Sequence, residues 1–325
     1  MKALLCKQLG GPELLSLEEV APLQPGPGQI VVSVKAAGVN FPDTLIIQGK
    51  YQMKPDLPFS PGGEVAGTVA RVGEGVTQFE VGQRVVAPIG YGGFAQEAIA
   101  DASRALPLPD GMSFEEASAF VLTYGTSYYA LKNRAELKKG ETLLILGAAG
   151  GVGLAAIQIA KAMGAVVIAA ASSEEKRQLC LREGADHVVD YTQDDFRDQL
   201  KELTGGKGVD VIYDPVGGSA SEPAFRSIAW KGRFLVVGFA AGDIPRIPLN
   251  LPLLKGASIV GVFWGAFGRT EPEADAQNMK ELFELYAEGK VKPVICATYP
   301  LERAPEALEF VAGRQALGKV VITVD

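Results

Sequence analysis

TLLILGAAGGVGLAAIQIAKAMG, residues 142–164, sets an apolar run, a glycine-rich loop and a segment of helical length in immediate succession. The run from Thr142 to Gly147 has the length and aliphatic content of a buried strand. The segment beginning at Leu154 closes on Gly164, the residue favoured just past a helix C-terminus. Between them, Ala148-Ala149-Gly150-Gly151-Val152-Gly153 is an A-x-G-x-x-G variant of the dinucleotide fingerprint. A glycine-rich loop is weak evidence by itself, because ordinary turns also use glycine for positive φ. Its position between strand and helix gives it weight: that order aims backbone N–H groups at a helix N-terminus, where a pyrophosphate can sit. Ala149, Gly150, Gly151, Val152 and Gly153 are therefore the candidate phosphate cradle.

Outward from this unit the same alternation continues. VVIAA (166–170), HVVD (187–190), VDVIYD (209–214), RFLVVG (233–238) and SIVGVF (258–263) read as further strands. The intervening LAAIQIAKAMG, EEKRQLCLREG, DDFRDQLKELTGG and SEPAFRSIAW read as helices. Six strands with crossover helices predict an α/β fold with a doubly wound parallel sheet over residues 123–263. An NAD-binding sheet usually ends its second strand on Asp or Glu, which bonds the adenosine ribose. Here that position reads AAASSEEKR. Ser172 and Ser173 offer hydroxyls, and Lys176 or Arg177 can balance a 2′-phosphate, which predicts NADPH over NADH. The same residues also fit a helix-capping box from Ser172 to Glu175 with the basic pair in solvent, and both arrangements can coexist.

Residues 1–122 have a different texture: short apolar runs such as QIVVSVKAAGV, GEVAGTVARVG and QRVVAPIGYGGFAQEAIA, punctuated by Gly and Pro. That pattern predicts a β-rich domain. EEASAFVLTYGTSYYALKN then reads as helix at a domain junction. Residues 264–325 hold two more helical segments and end on the strand-like KVVITV, which can return to the first domain and make it discontinuous.

Composition removes several function classes. A net charge of -7 and a pI near 5.1 offer no general attraction to nucleic acid. No run of about 18 apolar residues predicts a membrane span, and MKALLCKQLGGPELL lacks the apolar core of a secretory signal, so a cytoplasmic protein is expected. Cys6, Cys180 and Cys296 are too dispersed for a disulfide framework or a zinc ribbon and read as reduced thiols. A Ser/His/Asp hydrolase would need His187, the single histidine, which instead opens a short apolar strand.

Five segments in order, GVNFPDTLIIQGKY (38–51), PFSPGGEVAGTVARVG (58–73), LTYGTSYYAL (122–131), LILGAAGGVG (144–153) and VDVIYDPVGG (209–218), resemble the medium-chain dehydrogenase/reductase superfamily, specifically its NADPH:quinone oxidoreductase, zeta-crystallin-like branch. The resemblance spans essentially the whole chain. It implies a GroES-like β-barrel catalytic domain completed by the C-terminal segment, a Rossmann domain binding NADPH, and an active site in the cleft between them. It also implies a homodimer through the edge strand near 257–264.

Zinc enzymes of that superfamily bind catalytic zinc with Cys, His and a further Cys or Asp. Here the first ligand region is AGVNFPD, and Gly62-Gly63-Glu64 stands for the Gly-His-Glu motif. A metal-free mechanism is expected, which favours an electron-poor acceptor over an alcohol. By resemblance Asn40, Asp43, Gly49 and Tyr51 form a pattern shared by quinone reductases and enoyl-thioester reductases, in which Asn40 and Tyr51 are the candidate site residues. Tyr51 is the candidate acid or hydrogen-bond donor, or else an aromatic wall that orients the acceptor. Asn40 bonds the nicotinamide or the substrate carbonyl, Asp43 holds the loop, and Glu64 is read as structural. Thr123 and Tyr124 are expected beside the nicotinamide and Tyr191 over the adenosine phosphate. Gly238, Phe239 and Phe263 are expected at strand ends lining the cofactor. Lys319 holds a basic family position near the cofactor or is a surface lysine. The leading function is NADPH-dependent quinone reduction. Its competitor is reduction of the C=C bond of enones, enals or enoyl thioesters, and a reading of another class is a non-catalytic NADPH sensor or structural protein.

Overall fold

The computed structural model describes residues 1–325, which divide into two units: Met1–Leu122 with Pro293–Asp325, and Thr123–Lys292. In chain order the first stretch carries β1 (Lys2–Cys6), β2 (Leu15–Glu19), β3 (Gln29–Val39), α1 (Phe41–Ile46), β4 (Glu64–Val72), β5 (Arg84–Pro88), β6 (Glu97–Asp101), β7 (Leu106–Pro107) and α2 (Phe114–Ser118). Next come α3 (Val121–Tyr128), β8 (Thr142–Leu146), α4 (Gly151–Ala162), β9 (Val166–Ala170), α5 (Glu174–Arg182), β10 (His187–Val189), α6 (Phe196–Leu203), β11 (Val209–Asp214), α7 (Ser221–Arg226), β12 (Ile228–Val236), α8 (Asn250–Lys255), β13 (Ser258–Gly261), α9 (Trp264–Thr270) and α10 (Pro272–Ala287). The chain ends with β14 (Ile295–Pro300), α11 (Ala304–Ala312) and β15 (Lys319–Thr323).

The first unit is built on β3, whose eleven residues alternate apolar side chains into a core with Ile30, Val32, Val34, Phe59, Val65 and Phe94. Its length lets it pair on one side with both β6 (over Gln29–Ser33) and β15 (over Ala36–Val39), and on the other with β4. The resulting seven-stranded sheet has the order β14-β15-β3-β4-β5-β7, with β6 joined to β3. The C-terminal strand thus completes the first unit.

The second unit is a six-stranded parallel sheet in the order β10-β9-β8-β11-β12-β13. The order turns back beside β8, so a crevice opens at the C-terminal ends of β8 and β11, where ligands of such sheets bind. Leu143, Ile145, Val167, Val211 and Tyr213 have no exposed surface, as continuous apolar strands between two helical layers require.

Two sequence expectations change here. Residues 264–292 lie with the second unit and not the first. The cause is aromatic and polar packing that pairs segments far apart in sequence. Trp264 is 7% exposed, donates its indole N–H to Asp275 at 2.8 Å and lies against Gly125, where a Cβ would come within 2.8 Å of the indole. Phe267 stacks on Tyr129 with centroids 4.1 Å apart, and Lys132 donates to both Asn278 and Glu281. Secondly, the helix read over 115–133 is three pieces: α2, α3 and a π-helical turn from Tyr129 to Arg134.

Candidate functional site

In the second unit the glycine loop has the geometry its composition predicts. Gly147 ends β8 at φ +59, a left-handed conformation in which a Cβ would also strike Val216. Gly150 caps α4 in extended conformation, and a Cβ there would meet only the Gly147 carbonyl oxygen, at 3.4 Å. Gly153 differs: a Cβ would lie 2.5–2.7 Å from the Ala148 backbone, so only glycine lets α4 sit this close to the loop. The first N–H groups of α4 have no acceptor within the helix, and the open side of Gly150 gives an anion access to them.

Asp214, at the end of β11, organises the loop opposite. It accepts from the N–H groups of Val216 and Gly217, both at 2.8 Å, and from the Ser221 hydroxyl at 2.5 Å. Burial raises its pKa, and those hydrogen bonds oppose the rise. Asp214 belongs to VDVIYDPVGG, but its anchoring role was not legible there, because a strand-terminal Asp reads equally as a turn residue. Gly238 and Phe239 follow β12 on the same side. The Gly238 N–H points to the Asp214 carbonyl at 3.3 Å, and the Phe239 ring edge lies 3.0 Å from where a Gly217 Cβ would be. Phe263 is half exposed at the start of α9.

The expected adenosine end comes out differently in detail. Ser173, not Ser172, caps α5, its hydroxyl accepting from the Lys176 N–H at 3.4 Å. Both serines are exposed and Lys176 is partly buried. Arg177 is engaged: it bonds Asp190 at 2.8 Å, the Ala171 carbonyl at 3.1 Å and Glu174 at 3.1 and 3.2 Å. Of the two cations expected to meet a 2′-phosphate, Arg177 is thus held by internal partners. Tyr191 packs partly buried against the core at the end of β10.

Thr123 and Tyr124, expected beside the nicotinamide, lie within α3 and are each 2% exposed. The Tyr124 hydroxyl donates to Gln158 at 2.6 Å, and Gln158 in turn bonds Glu183 and both backbone groups of Lys292. Burial first, then the Glu183 charge, pushes the Tyr124 phenol far up, so its hydroxyl is a fixed structural donor.

The first unit brings Asn40, Asp43, Glu64 and Lys319 into one buried cluster. Lys319, on β15, is 4% exposed and therefore no surface lysine. Its ammonium donates to Asn40 Oδ1 at 2.7 Å, Glu64 Oε1 at 2.9 Å and the Val39 carbonyl at 3.2 Å. Asn40 Nδ2 donates to Glu64 Oε1 at 2.9 Å and to the Gly38 carbonyl at 3.3 Å. Glu64, fully buried, takes the Leu122 N–H on Oε2 at 2.9 Å, holding the first turn of α3. Gly38 makes room for this: a Cβ there would fall 2.0 Å from the Ser118 carbonyl oxygen and 2.5 Å from Glu64 Oε1. All three ammonium protons of Lys319 are thus engaged inside the first unit.

Asp43 accepts the Asn40 N–H at 2.7 Å. Burial pushes its pKa up to about 7, with Glu64 adding to the rise and the backbone bonds and Lys319 opposing it. Gly63 lies beside it, with a virtual Cβ 3.4 Å from the Gly90 oxygen and 3.6 Å from Asp43 Oδ1. Tyr51 is half buried against the core near Met53. Burial, then the Asp43 charge, raises its phenol, so it is a hydrogen-bond donor that holds its proton tightly.

Two family models divide the chain much as the fold does. The alcohol dehydrogenase GroES-like domain matches residues 26–110 and the zinc-binding dehydrogenase domain matches residues 151–284. The quinone oxidoreductase-like protein 2 homolog of Nematostella vectensis is 38% identical over 323 residues, 99% of this chain and 88% of its own length. The chain belongs to the quinone oxidoreductase family of medium-chain dehydrogenases/reductases. As an oxidoreductase of that family it superposes on the Escherichia coli quinone oxidoreductase, solved with NADPH, at TM-score 0.92 and 34% identity over 99% of this chain and 100% of that one. An enoyl reductase structure also matches, at TM-score 0.90 and 26% identity, over 100% of this chain and 98% of that one. The quinone oxidoreductase fold, with its GroES-like and Rossmann-type units, is thus the frame that holds the two clusters.

Proposed function

We propose that this family member is an NADPH-dependent, zinc-independent quinone reductase. The observation that carries the reading is the donor set: an intact dinucleotide loop accompanies a catalytic unit with no side chain at Gly63 and with Asn40 and Glu64 bonded to Lys319. No three His, Cys, Asp or Glu side chains converge as metal ligands, so the zinc suggested by the name of one matching domain does not fit these residues. An acceptor that needs no Lewis acid is the chemical consequence.

NADPH, when bound, supplies a hydride to the acceptor. The loop from Ala149 to Gly153 would hold its pyrophosphate, with Gly150 as the open cradle and Gly153 setting the helix distance. Ser172, Ser173 and Lys176 would meet the 2′-phosphate, and Tyr191, Gly238, Phe239 and Phe263 would line the dinucleotide. In the catalytic unit Tyr51 would donate a hydrogen bond to the oxygen on which negative charge develops. A raised phenol pKa suits that role better than proton release. This favours a quinone, whose reduced oxygen takes a proton from water, over an alkene, whose carbanion needs an acid. The enoyl reductase likeness keeps C=C reduction as the second reading.

The outer edge of β13 ends the sheet, and Trp230, Leu249, Leu253, Leu254 and Ile259 are all exposed around it. Such an apolar edge is a liability unless covered, which supports a homodimer through this strand. No helix is long and apolar enough to cross a membrane.

The test is NADPH oxidation by chelator-treated protein against para-quinones, enones and enoyl-CoA esters, with NADH as control. Turnover dominated by quinones and indifferent to chelation is expected. Dominant enone or thioester turnover moves the assignment to alkene reduction, loss of turnover on chelation refutes zinc independence, and tight NADPH binding without any turnover supports a sensor.

A further inference from the structure

Burying an ammonium and a carboxylate together is costly, and an apolar pair of similar shape often serves stability as well. Here both are taken out of water, with side-chain exposures of 5% for Lys319 and 0% for Glu64. What they gain is seen at Asn40, which lies between them. An amide presents an oxygen and an NH2 of nearly the same shape, and its neighbours decide which way it points. Lysine can only donate and an ionised glutamate can only accept. With Lys319 on one side and Glu64 on the other, a single orientation is possible: Oδ1 to Lys319 and Nδ2 to Glu64 and Gly38. The Leu122 N–H on the other Glu64 oxygen keeps that carboxylate from turning. Every buried side-chain polar atom here is partnered.

We infer that Lys319 and Glu64 act as positioning residues whose joint role is to set the orientation of the Asn40 amide. The amide would thereby be fixed at the N-terminus of α1, where Asn40 and Asp43 form a capping box, and hold the α1 segment that leads to Tyr51. This rests on the reading of Asn40 and Tyr51 as site residues. Lys319 is accordingly a partner of Asn40 and makes no bond of its own to cofactor.

The double variant Lys319→Met/Glu64→Gln separates orientation from stability. With its oxygen kept on the Leu122 N–H, the glutamine at position 64 would turn an NH2 toward Asn40. All groups could then be satisfied, but with the Asn40 amide reversed. Lys319→Met alone leaves a buried carboxylate without its cation and is expected to lower both Tm and kcat. The double variant is expected to recover Tm while kcat stays down about tenfold or more, and NADPH affinity is expected to remain within about threefold of wild type. Recovery of kcat together with Tm overturns the inference, because the pair would then be structural only. A weakening of NADPH binding by about tenfold or more in both variants overturns it differently, making Lys319 a cofactor ligand.

A readout free of turnover is the side-chain NH2 signal of Asn40 in protein labelled with 15N-asparagine, assigned by its loss in Asn40→Ala. A proton bonded to a carboxylate is expected downfield and protected from exchange in wild type, and absent from the double variant. An unaltered signal refutes the inference, and the comparison stands even if no acceptor is found and the reductase reading fails. Should the double variant not fold, Asn40→Ala leaves the ion pair in place. A kcat loss with Tm nearly retained supports the inference, and an unchanged kcat refutes it.

Discussion

Replacing Gly153 by Ala adds one methyl where the Ala148 backbone lies 2.5, 2.7 and 2.7 Å away. Carbon atoms settle at about 3.5–4.0 Å, so α4 must withdraw from the end of β8 by about 1 Å. Overpacking of this kind costs about 1–3 kcal/mol, which for a domain of this size lowers Tm by on the order of 5 °C. The same shift carries the N–H groups of the first α4 turn out of hydrogen-bonding range of a pyrophosphate. Loss of one charge-assisted bond, worth about 1.5–3 kcal/mol, weakens NADPH by roughly ten- to a hundredfold. Gly150→Ala is the discriminating partner. Its methyl would meet only a carbonyl oxygen at 3.4 Å, so Tm is expected to hold, while the methyl fills the cradle itself and NADPH affinity falls comparably. Calorimetric titration with NADPH and thermal denaturation of both variants read the two effects. An unchanged NADPH Kd in Gly150→Ala refutes the placement of the pyrophosphate, and an unchanged Tm in Gly153→Ala refutes the packing argument.

Three further outcomes follow from the same structure. Tyr51→Phe is expected to lower quinone turnover by less than about tenfold, because a strongly held phenol proton contributes only a hydrogen bond; a loss above about a hundredfold makes Tyr51 a proton donor. Asp43, facing Glu64, Lys319, Tyr51 and the N–H groups of Asn40 and Gly62, has its pKa raised from 3.8 to about 7. The folded state then keeps a proton that the unfolded state has released. Stability is expected to fall as pH rises from about 4 to about 7 and to level off above that, by a few kcal/mol at most. Urea titrations of wild type and Asp43→Asn across that range check this, and an identical slope in both removes Asp43 as the cause. Ile259→Lys on β13 is expected to yield monomers in sedimentation equilibrium, and an intact dimer places the interface elsewhere.

What the sequence by itself determined about this protein is everything carried by short-range pattern. Strand and helix periods around the glycine loop announced the parallel sheet, and SSEEKR announced a capped helix, although the cap fell on Ser173 and not Ser172. The resemblance carried by GVNFPDTLIIQGKY singled out Asn40, Asp43 and Tyr51 together, and Asn40 and Asp43 meet because they share the N-terminal turn of α1. Only the tertiary structure decided where charged groups go. Arg177 is drawn to Asp190, and α9 and α10 join the second unit through contacts with α3 and the π-helical turn that follows it. Lys319 meets Asn40 across 279 residues and Glu64 across 255. A lysine followed by VVITV looks the same whether its ammonium ends in water, at a phosphate or between an amide and a carboxylate. The difference is set by which strands β3 recruits, a long-range pairing that local periodicity does not encode.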